Sequence, residues 1–374
     1  MEGLVNMRFD IVRGRLEKLR QRMREQQIDA LTVMVFERLN SENCHYISGF
    51  RGSSAALVID AKRELLITDG RYRTQAALQS PFTLVVQSDL PLAEYVVQVL
   101  SKSGYKTAGF EAEKVSCAIF ETVLKKAPVE WKDASALIPS LRRSKDAEEV
   151  AAIRRAGVIA RQAFDRVLKD VRVGMTEVDF ESRLISEIKR AGAEKGWAHD
   201  DFIVVSGARG AMCHGRATDR AFERGDTVTL DYGAMIDGYM CDITRNFAVG
   251  GAQDRAVELD GILVKAHREA AAALRPGVSG KEVDAVARRI IEEAGYGNGF
   301  VHGLGHGLGL EIHESPRLSF LSKDILQAGD VVTIEPGIYI EGWGGLRVED
   351  DYLITENGAE CLTQSDDQHL KIAG

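Results

Sequence analysis

The segment HGLGHGLGL, residues 302–310, holds two histidines and four glycines in nine positions, and a third histidine, His313, follows closely. Imidazoles ligate metals and move protons near neutral pH. Glycine-rich loops often cradle phosphates. The phosphate reading lacks its other requirements here. No G-K-[ST] follows the glycines, and the segment trails a helical pattern instead of opening a helix after a strand. An isolated glycine-rich loop is ordinarily a tight turn, but three histidines among these glycines point to metal or proton chemistry. The glycines would let the backbone pass close to such a centre.

Carboxylates recur at spacings that could complete it. In TLDYGAMIDGYMCDITR, Asp237-Gly238 is a strong two-residue hairpin turn. That turn pairs Ile236 with Tyr239 and Gly233 with Asp242. Asp231, two residues from Gly233, then shares a face with Asp242, their Cβ atoms about 7 Å apart or less. In TIEPGIYIEGWGGLRVEDD, the glycines at 342, 344 and 345 mark a loop. A five-residue loop, 341–345, pairs Ile340 with Leu346, sets Tyr339 opposite Arg347, and makes Glu335 and Glu349 a second diagonal pair. One acid on a strand is ordinarily solvated. Four converging acids require compensating cations, and two divalent metals about 3.5–4 Å apart would supply them.

The elements that position these residues form a repeat. GMTEVD (174–179) and GVSGKEVD (277–284) each open a helix, and GDTVTLD and GDVVTIE each end on an acid, Asp231 and Glu335, 104 residues apart. Each copy runs helix, glycine-and-histidine segment, strand, acid, which predicts two related halves about a pseudo-twofold axis. Upstream, DIVRGRLEKLRQRMREQQ reads as an amphipathic helix, DALTVMVF, AALVID and ELLITD as strands, and LAEYVVQVLSKSG as a helix stopped by Gly104. This predicts an α/β domain over 1–140. Around Pro139 the polar run IPSLRRSKDAEEV leads into a long helix, so a second domain is expected over 141–374.

The 374 residues suffice for two domains, and 45% hydrophobic with 28% charged residues describes an ordinary globular chain. The net charge of −8, without a basic run, argues against nucleic acid. No apolar stretch is long enough to span a membrane, and the N-terminus lacks the pattern of a signal peptide. Five scattered cysteines without a C-x-x-C pair fit reduced thiols in a cytoplasm.

The set Asp231, Asp242, His306, Glu335 and Glu349 resembles the dimetal ligand set of the pita-bread metallopeptidases. DYGAMIDGYMCDITR, HGLGHGLGLEIHESP, IEPGIYI and GLRVEDD match as supporting motifs. Within that group the chain is similar to the proline-specific branch, aminopeptidase P and prolidase. Arg347 before Glu349 and the additional N-terminal domain set that branch apart from methionine aminopeptidases. Creatinase shares the two-domain architecture but lacks the ligand set.

The resemblance implies a creatinase-like N-terminal α/β domain and an α+β pita-bread catalytic domain with an internal pseudo-twofold repeat. It implies two divalent ions, manganese by preference with cobalt, zinc or iron as substitutes. Asp231 and Asp242 would hold one ion, and Asp242, His306, Glu335 and Glu349 the other, with Asp242 and Glu349 bridging. Glu335 would double as general base toward an activated water. His214 and His313 would bind substrate or steady the tetrahedral intermediate, and His302 would contact substrate near the proline subsite. Tyr339 and Arg347 would steady Glu349 or relay protons, with a plain structural ion pair as the rival for Arg347. The family usually places proline before its first active-site histidine, where this chain has Cys213. His45, His199, His267 and His369 have no motif around them and read as surface or packing residues.

NCHYISGFRGSSAALVID and LLITDGRYRTQA resemble the N-terminal domain of aminopeptidases P, which implies removal of the first residue from Xaa-Pro peptides. The alternative is an Xaa-Pro dipeptidase. A metal-free binding module of the same fold and a nucleotide-binding protein are more distant readings. A homodimer is expected from family habit.

Overall fold

The computed structural model describes residues 2–197, 202–363 and 369–374. The chain divides into two compact units, Met1–Arg142 and Arg143–Gly374.

The first unit opens with the helix Glu2–Glu25, longer than its amphipathic pattern alone predicts. Ala30–Phe36, apolar and β-branched, becomes a central strand of a six-stranded sheet. It pairs antiparallel with Ser54–Asp60 and parallel with Thr107–Phe110. The Asp60 carboxylate accepts from the amides of Lys62 and Arg63 and so closes the turn into the strand Glu64–Thr68. The helix Leu92–Ser103 ends where Gly104 adopts φ +72°.

The second unit begins with the helix Ala147–Val167, started by a capping box of Asp146 and Glu149. Its two halves repeat the same order. Thr176 and Asp179 cap the helix Glu177–Arg190, which precedes the strand Thr227–Tyr232. Ser279 and Glu282 cap the helix Gly280–Glu293, which precedes the strand Val331–Ile334. The first strand belongs to a four-stranded sheet and the second to a five-stranded sheet. Each half has its own apolar core, around Phe180, Phe202, Tyr232 and Phe247 in one and Val283, Ile291, Ile334 and Leu346 in the other. Among the described residues no helix is long and apolar enough to cross a membrane.

The hairpin at Asp237-Gly238 has the expected register. Both turn residues have positive φ, 52° and 86°, and Ile236 pairs with Tyr239. Beyond it Tyr232 pairs with Ile243 and Asp231 with Thr244, in the same frame. Gly233 therefore faces Asp242, and Asp231 lies diagonal to it.

The second hairpin corrects the expectation. Its loop has three residues, 341–343, because Ile340 pairs with Gly344 and Gly337 with Arg347. Tyr339 lies opposite Gly345, not Arg347. With Ile334 opposite Asp350, the same frame sets Glu335 directly opposite Glu349 instead of diagonal. The two-residue slip keeps every side chain on its face, so the acids still converge. Gly344 and Gly345 belong to the strand because another segment packs against them. A Cβ on Gly345 would lie 2.4 Å from the carbonyl oxygen of Gly210 and 2.7 Å from the Tyr339 ring. We predict that Gly345→Ala destabilises the protein by roughly 1–3 kcal/mol through this overpacking. Urea denaturation checks it, and a wild-type midpoint would contradict the close approach.

Candidate metal centre

Strand geometry delivers the acids. Asp231 sits near the end of Thr227–Tyr232 and Asp242 immediately precedes Ile243–Val249. Glu335 follows Val331–Ile334, and Glu349 lies between Gly344–Arg347 and Asp350–Thr355. His306 is the middle residue of the short strand Gly305–Gly307. Asp231, Asp242 and Glu349 are 7%, 4% and 1% exposed, so their charge is withdrawn from water.

Ligand atoms of Asp242, His306 and Glu349 all lie within 4.8 Å of one another. His306 Nε2 is 3.7 Å from Asp242 Oδ2 and 3.4 Å from Glu335 Oε1. The His306 Nδ1 lies 3.1 Å from the carbonyl oxygen of Gly307. A carbonyl only accepts, so Nδ1 carries the proton and Nε2 presents a lone pair toward the acids. Oδ1 of Asp231 and Oδ1 of Asp242 are buried without a hydrogen-bond partner. Oxygen-rich donors, a correctly protonated imidazole and two orphaned carboxylate oxygens fit divalent cations.

The electrostatics agree. Burial raises the carboxyl of Asp242 well above its ordinary range, and the neighbouring charges of Glu349 and Asp231 raise it further. Burial and then Glu335 do the same to Glu349. Burial pushes Glu335 up to about 8. Burial lowers His306 to about 3 and His302 to about 4, which keeps both imidazoles neutral.

A directional chain of hydrogen bonds flanks the cluster. Arg347 donates from Nη1 to the Tyr339 hydroxyl at 2.6 Å and from Nη2 to Asp231 Oδ2. The His302 Nδ1 is 2.7 Å from the Gly303 carbonyl and must donate to it. His302 Nε2 therefore accepts from Tyr339, 3.0 Å away. Both ring nitrogens of His302 are thus occupied, and the ring rather than a nitrogen is left for contact, beside Phe300 at 5.2 Å between centroids. Arg347 reaches Glu349 only through Thr244, whose hydroxyl accepts from Arg347 Nε at 3.0 Å and donates to Glu349 Oε2 at 2.7 Å. The ion pair expected as a rival role is present, with Asp231 and, at 4.0 Å, with Glu335.

His214 and His313 are solvent-exposed. The His313 ring stands edge-on to His306 with centroids 4.3 Å apart, and the charge of His214 bears on both His302 and His313. Cys213 offers its carbonyl oxygen to Arg347 at 3.2 Å, a main-chain role open to any residue there. His267 is buried with Nε2 3.6 Å from Asp350, and His369 pairs with Asp260. His45 lies partly exposed on the helix Ser41–Ser48. His199 lies outside the described residues.

Several supporting residues carried no separate signal in the sequence. Asp351 accepts the Asp242 amide at 3.0 Å, and Arg245 donates to the Glu349 carbonyl at 2.6 Å and to Asp350 at 2.6 Å. Fully buried Glu177 accepts from the amides and hydroxyls of both Ser206 and Thr218, so one carboxylate gathers both ends of the loop that carries His214. Thr244, Arg245 and Asp351 lie inside quoted motifs, but their partners are distant in sequence.

The raised carboxyls set a pH dependence. Between pH 6.5 and about 8 the unfolded carboxyls are ionised, whereas folded, metal-free Glu335 retains its proton. The folded state then binds more protons, so stability falls as pH rises across this window. The lowered histidines act oppositely, but below pH 6.5. The Tm of chelator-treated protein should fall from pH 6.5 to 8, and added manganese should raise it more at pH 8. A Tm that rises with pH, or a larger metal effect at pH 6.5, would contradict the charge repulsion.

Residues 151–356 match metallopeptidase family M24, and residues 15–144 match the Creatinase/Prolidase N-terminal domain. An Xaa-Pro dipeptidase of Pyrococcus furiosus is 36% identical over 96% of this chain and 100% of its own. A solved Xaa-Pro dipeptidase from Bacillus anthracis superposes with a TM-score of 0.90 at 36% identity, covering 96% of this chain and 99% of that one. An X-Pro aminopeptidase from Thermotoga maritima gives 0.87 at 35% identity, covering 93% and 99%. With its buried acids and neutral His306 gathered on two facing halves, the chain belongs to metallopeptidase family M24, as a creatinase-type N-terminal domain joined to a pita-bread catalytic domain.

Proposed function

We propose that this metallopeptidase hydrolyses the Xaa-Pro bond of short peptides at the cluster of Asp231, Asp242, His306, Glu335 and Glu349. The observation that carries the reading is the approach of Asp242, His306 and Glu349 within 4.8 Å, with orphaned oxygens on Asp231 and Asp242. These five residues would hold two divalent ions. When bound, such a pair lowers the pKa of a water and polarises a carbonyl oxygen. Four carboxylates and one imidazole suit manganese.

The remaining steps fall to the chain's own groups. Glu335, 3.4 Å from His306 Nε2, is placed beside the ligand atoms where it would take and return a proton as general base. His214 and His313 are the exposed donors that would steady the developing oxyanion. The His302 ring, whose two nitrogens are both occupied and which packs edge-on against buried Phe300, would offer its face to a proline ring. Arg347 and Tyr339 orient Asp231 and His302 and are positioning residues. An Xaa-Pro bond has no N–H, so a peptidase that reads that N–H fails on it. A site that reads the carbonyl and a ring does not need it.

Two substrate lengths have specific support. The N-terminal motifs and the likeness to the Thermotoga maritima X-Pro aminopeptidase favour removal of the first residue from longer peptides. The Pyrococcus furiosus and Bacillus anthracis Xaa-Pro dipeptidases, similar over nearly the whole chain, favour Xaa-Pro dipeptides. Manganese-restored protein should cleave Ala-Pro or Ala-Pro-Ala, and the faster substrate assigns the activity. His306→Ala should lose both metal and at least about 100-fold in kcat/KM. Turnover of neither peptide by metal-loaded protein would overturn the proposal. We also expect a homodimer, and a purely monomeric sedimentation profile would refute it.

A further inference from the structure

The short run Arg143-Ser144-Lys145, at the start of the second unit, reads in the sequence as a polar linker. In the structure it is fastened to the catalytic unit. Arg143 makes two 2.8 Å bonds to the Asp330 carboxylate, and the Lys145 amide donates to the Gly329 carbonyl at 2.8 Å. The Lys145 side chain is 1% exposed, an ammonium almost wholly withdrawn from water. Its Nζ lies 3.0 Å from Glu314 Oε2, itself on a side chain 7% exposed, and 3.2 Å from the Arg143 carbonyl.

Glu314 follows His313 directly, and its other oxygen accepts the amides of Leu310 and Glu311 at 3.0 and 3.1 Å. One carboxylate therefore closes the loop between His306 and His313. Gly309 permits the approach, since a Cβ there would lie 3.0 Å from both Glu314 Oε1 and Lys145 Cε. The Gly309 carbonyl accepts the Met240 amide at 2.9 Å, two residues before Asp242. The loop is thus tied to the first hairpin as well.

We propose that Lys145 is a positioning residue for the reaction. Through Glu314 it fixes the 308–313 loop and so sets the edge-on approach of His313 to His306. The reason is physical. An acceptor-only carboxylate with little solvent keeps its charge, and so its grip on two amides, when a cation faces it. This inference rests on the reading of His313 as a substrate contact, and it adds a requirement for a side chain outside every motif that marks the site.

A double-mutant cycle tests it, with kcat and KM measured on manganese-loaded protein. Lys145→Met should lower kcat/KM roughly 10- to 100-fold, as a misplaced group does, and Lys145→Arg should restore it to within about 3-fold. In a His313→Ala background Lys145→Met should cost less than about 3-fold, because the two act through one contact. Since Lys145→Met leaves Glu314 without its cation, the K145M/E314Q pair, which removes both charges, keeps the test open if the single variant fails to fold. The His313 imidazole resonance of the metal-free protein, assigned by its loss in His313→Ala, gives a readout independent of turnover. It should move in K145M/E314Q and hold in Lys145→Arg. Additive losses, wild-type kcat/KM in K145M/E314Q, or an unmoved resonance would overturn the inference. A wild-type protein that cleaves neither Ala-Pro nor Ala-Pro-Ala would instead defeat the proposed function, and the resonance would still decide the role of Lys145.

Discussion

Four carboxylates drawn together away from water repel one another, and the rest of the catalytic unit is arranged around that repulsion. Burial and mutual charge raise Asp242, Glu335 and Glu349 above the ordinary carboxyl range. A fold that invests in such a cluster without a cation would gain nothing from it, since well-packed apolar residues would serve stability better. The acids make sense as a ligand set. One observation decides against an ordinary buried ion-pair network. Among the acids Arg347 pairs with Oδ2 of Asp231 and stands 4.0 Å from Glu335, while Oδ1 of Asp231 and Oδ1 of Asp242 have no partner.

The surrounding groups hold donor atoms in place and offset only part of their charge, through Arg347 beside Asp231. Thr244 links Arg347 to Glu349, Asp351 holds the Asp242 main chain, and Arg245 clamps the Glu349 main chain against Asp350. These bonds join the strand around Asp242 to the strand around Glu349, and so register one half of the repeat on the other. The histidines are supported by a different means. Glu177 and the Lys145–Glu314 pair each close a loop with a buried carboxylate, so a loop histidine inherits some of the rigidity of the helices and strands.

Much of the site was legible because strand periodicity and a turn type fix where side chains point. Asp237-Gly238 dictated its hairpin register, and the diagonal pair Asp231 and Asp242 followed. The register of the second hairpin is not legible, because Gly344 and Gly345 look like loop residues. They are strand residues made small by the Gly207–Ala211 segment packed on them, a long-range contact that local sequence does not encode. The acids still share a face because a slip of two residues preserves it. Lys145, Glu177 and Asp351 were not legible as supports. Each acts through a partner between 29 and 169 residues away, and a single charged residue in a polar run gives no sign of its burial. The exposed and buried histidines, His214 and His267, likewise look alike in the sequence.

The most direct test of the account is the metal stoichiometry of the folded chain. Chelator-treated protein is titrated with manganese and the bound metal is counted per chain, with Asp242→Asn and Glu349→Gln measured in parallel. Two equivalents in the wild type, with a loss in both variants, is the result the converging carboxylates predict. Retention of no metal by folded wild-type protein, or binding untouched by both substitutions, would show that the acids are gathered for another reason.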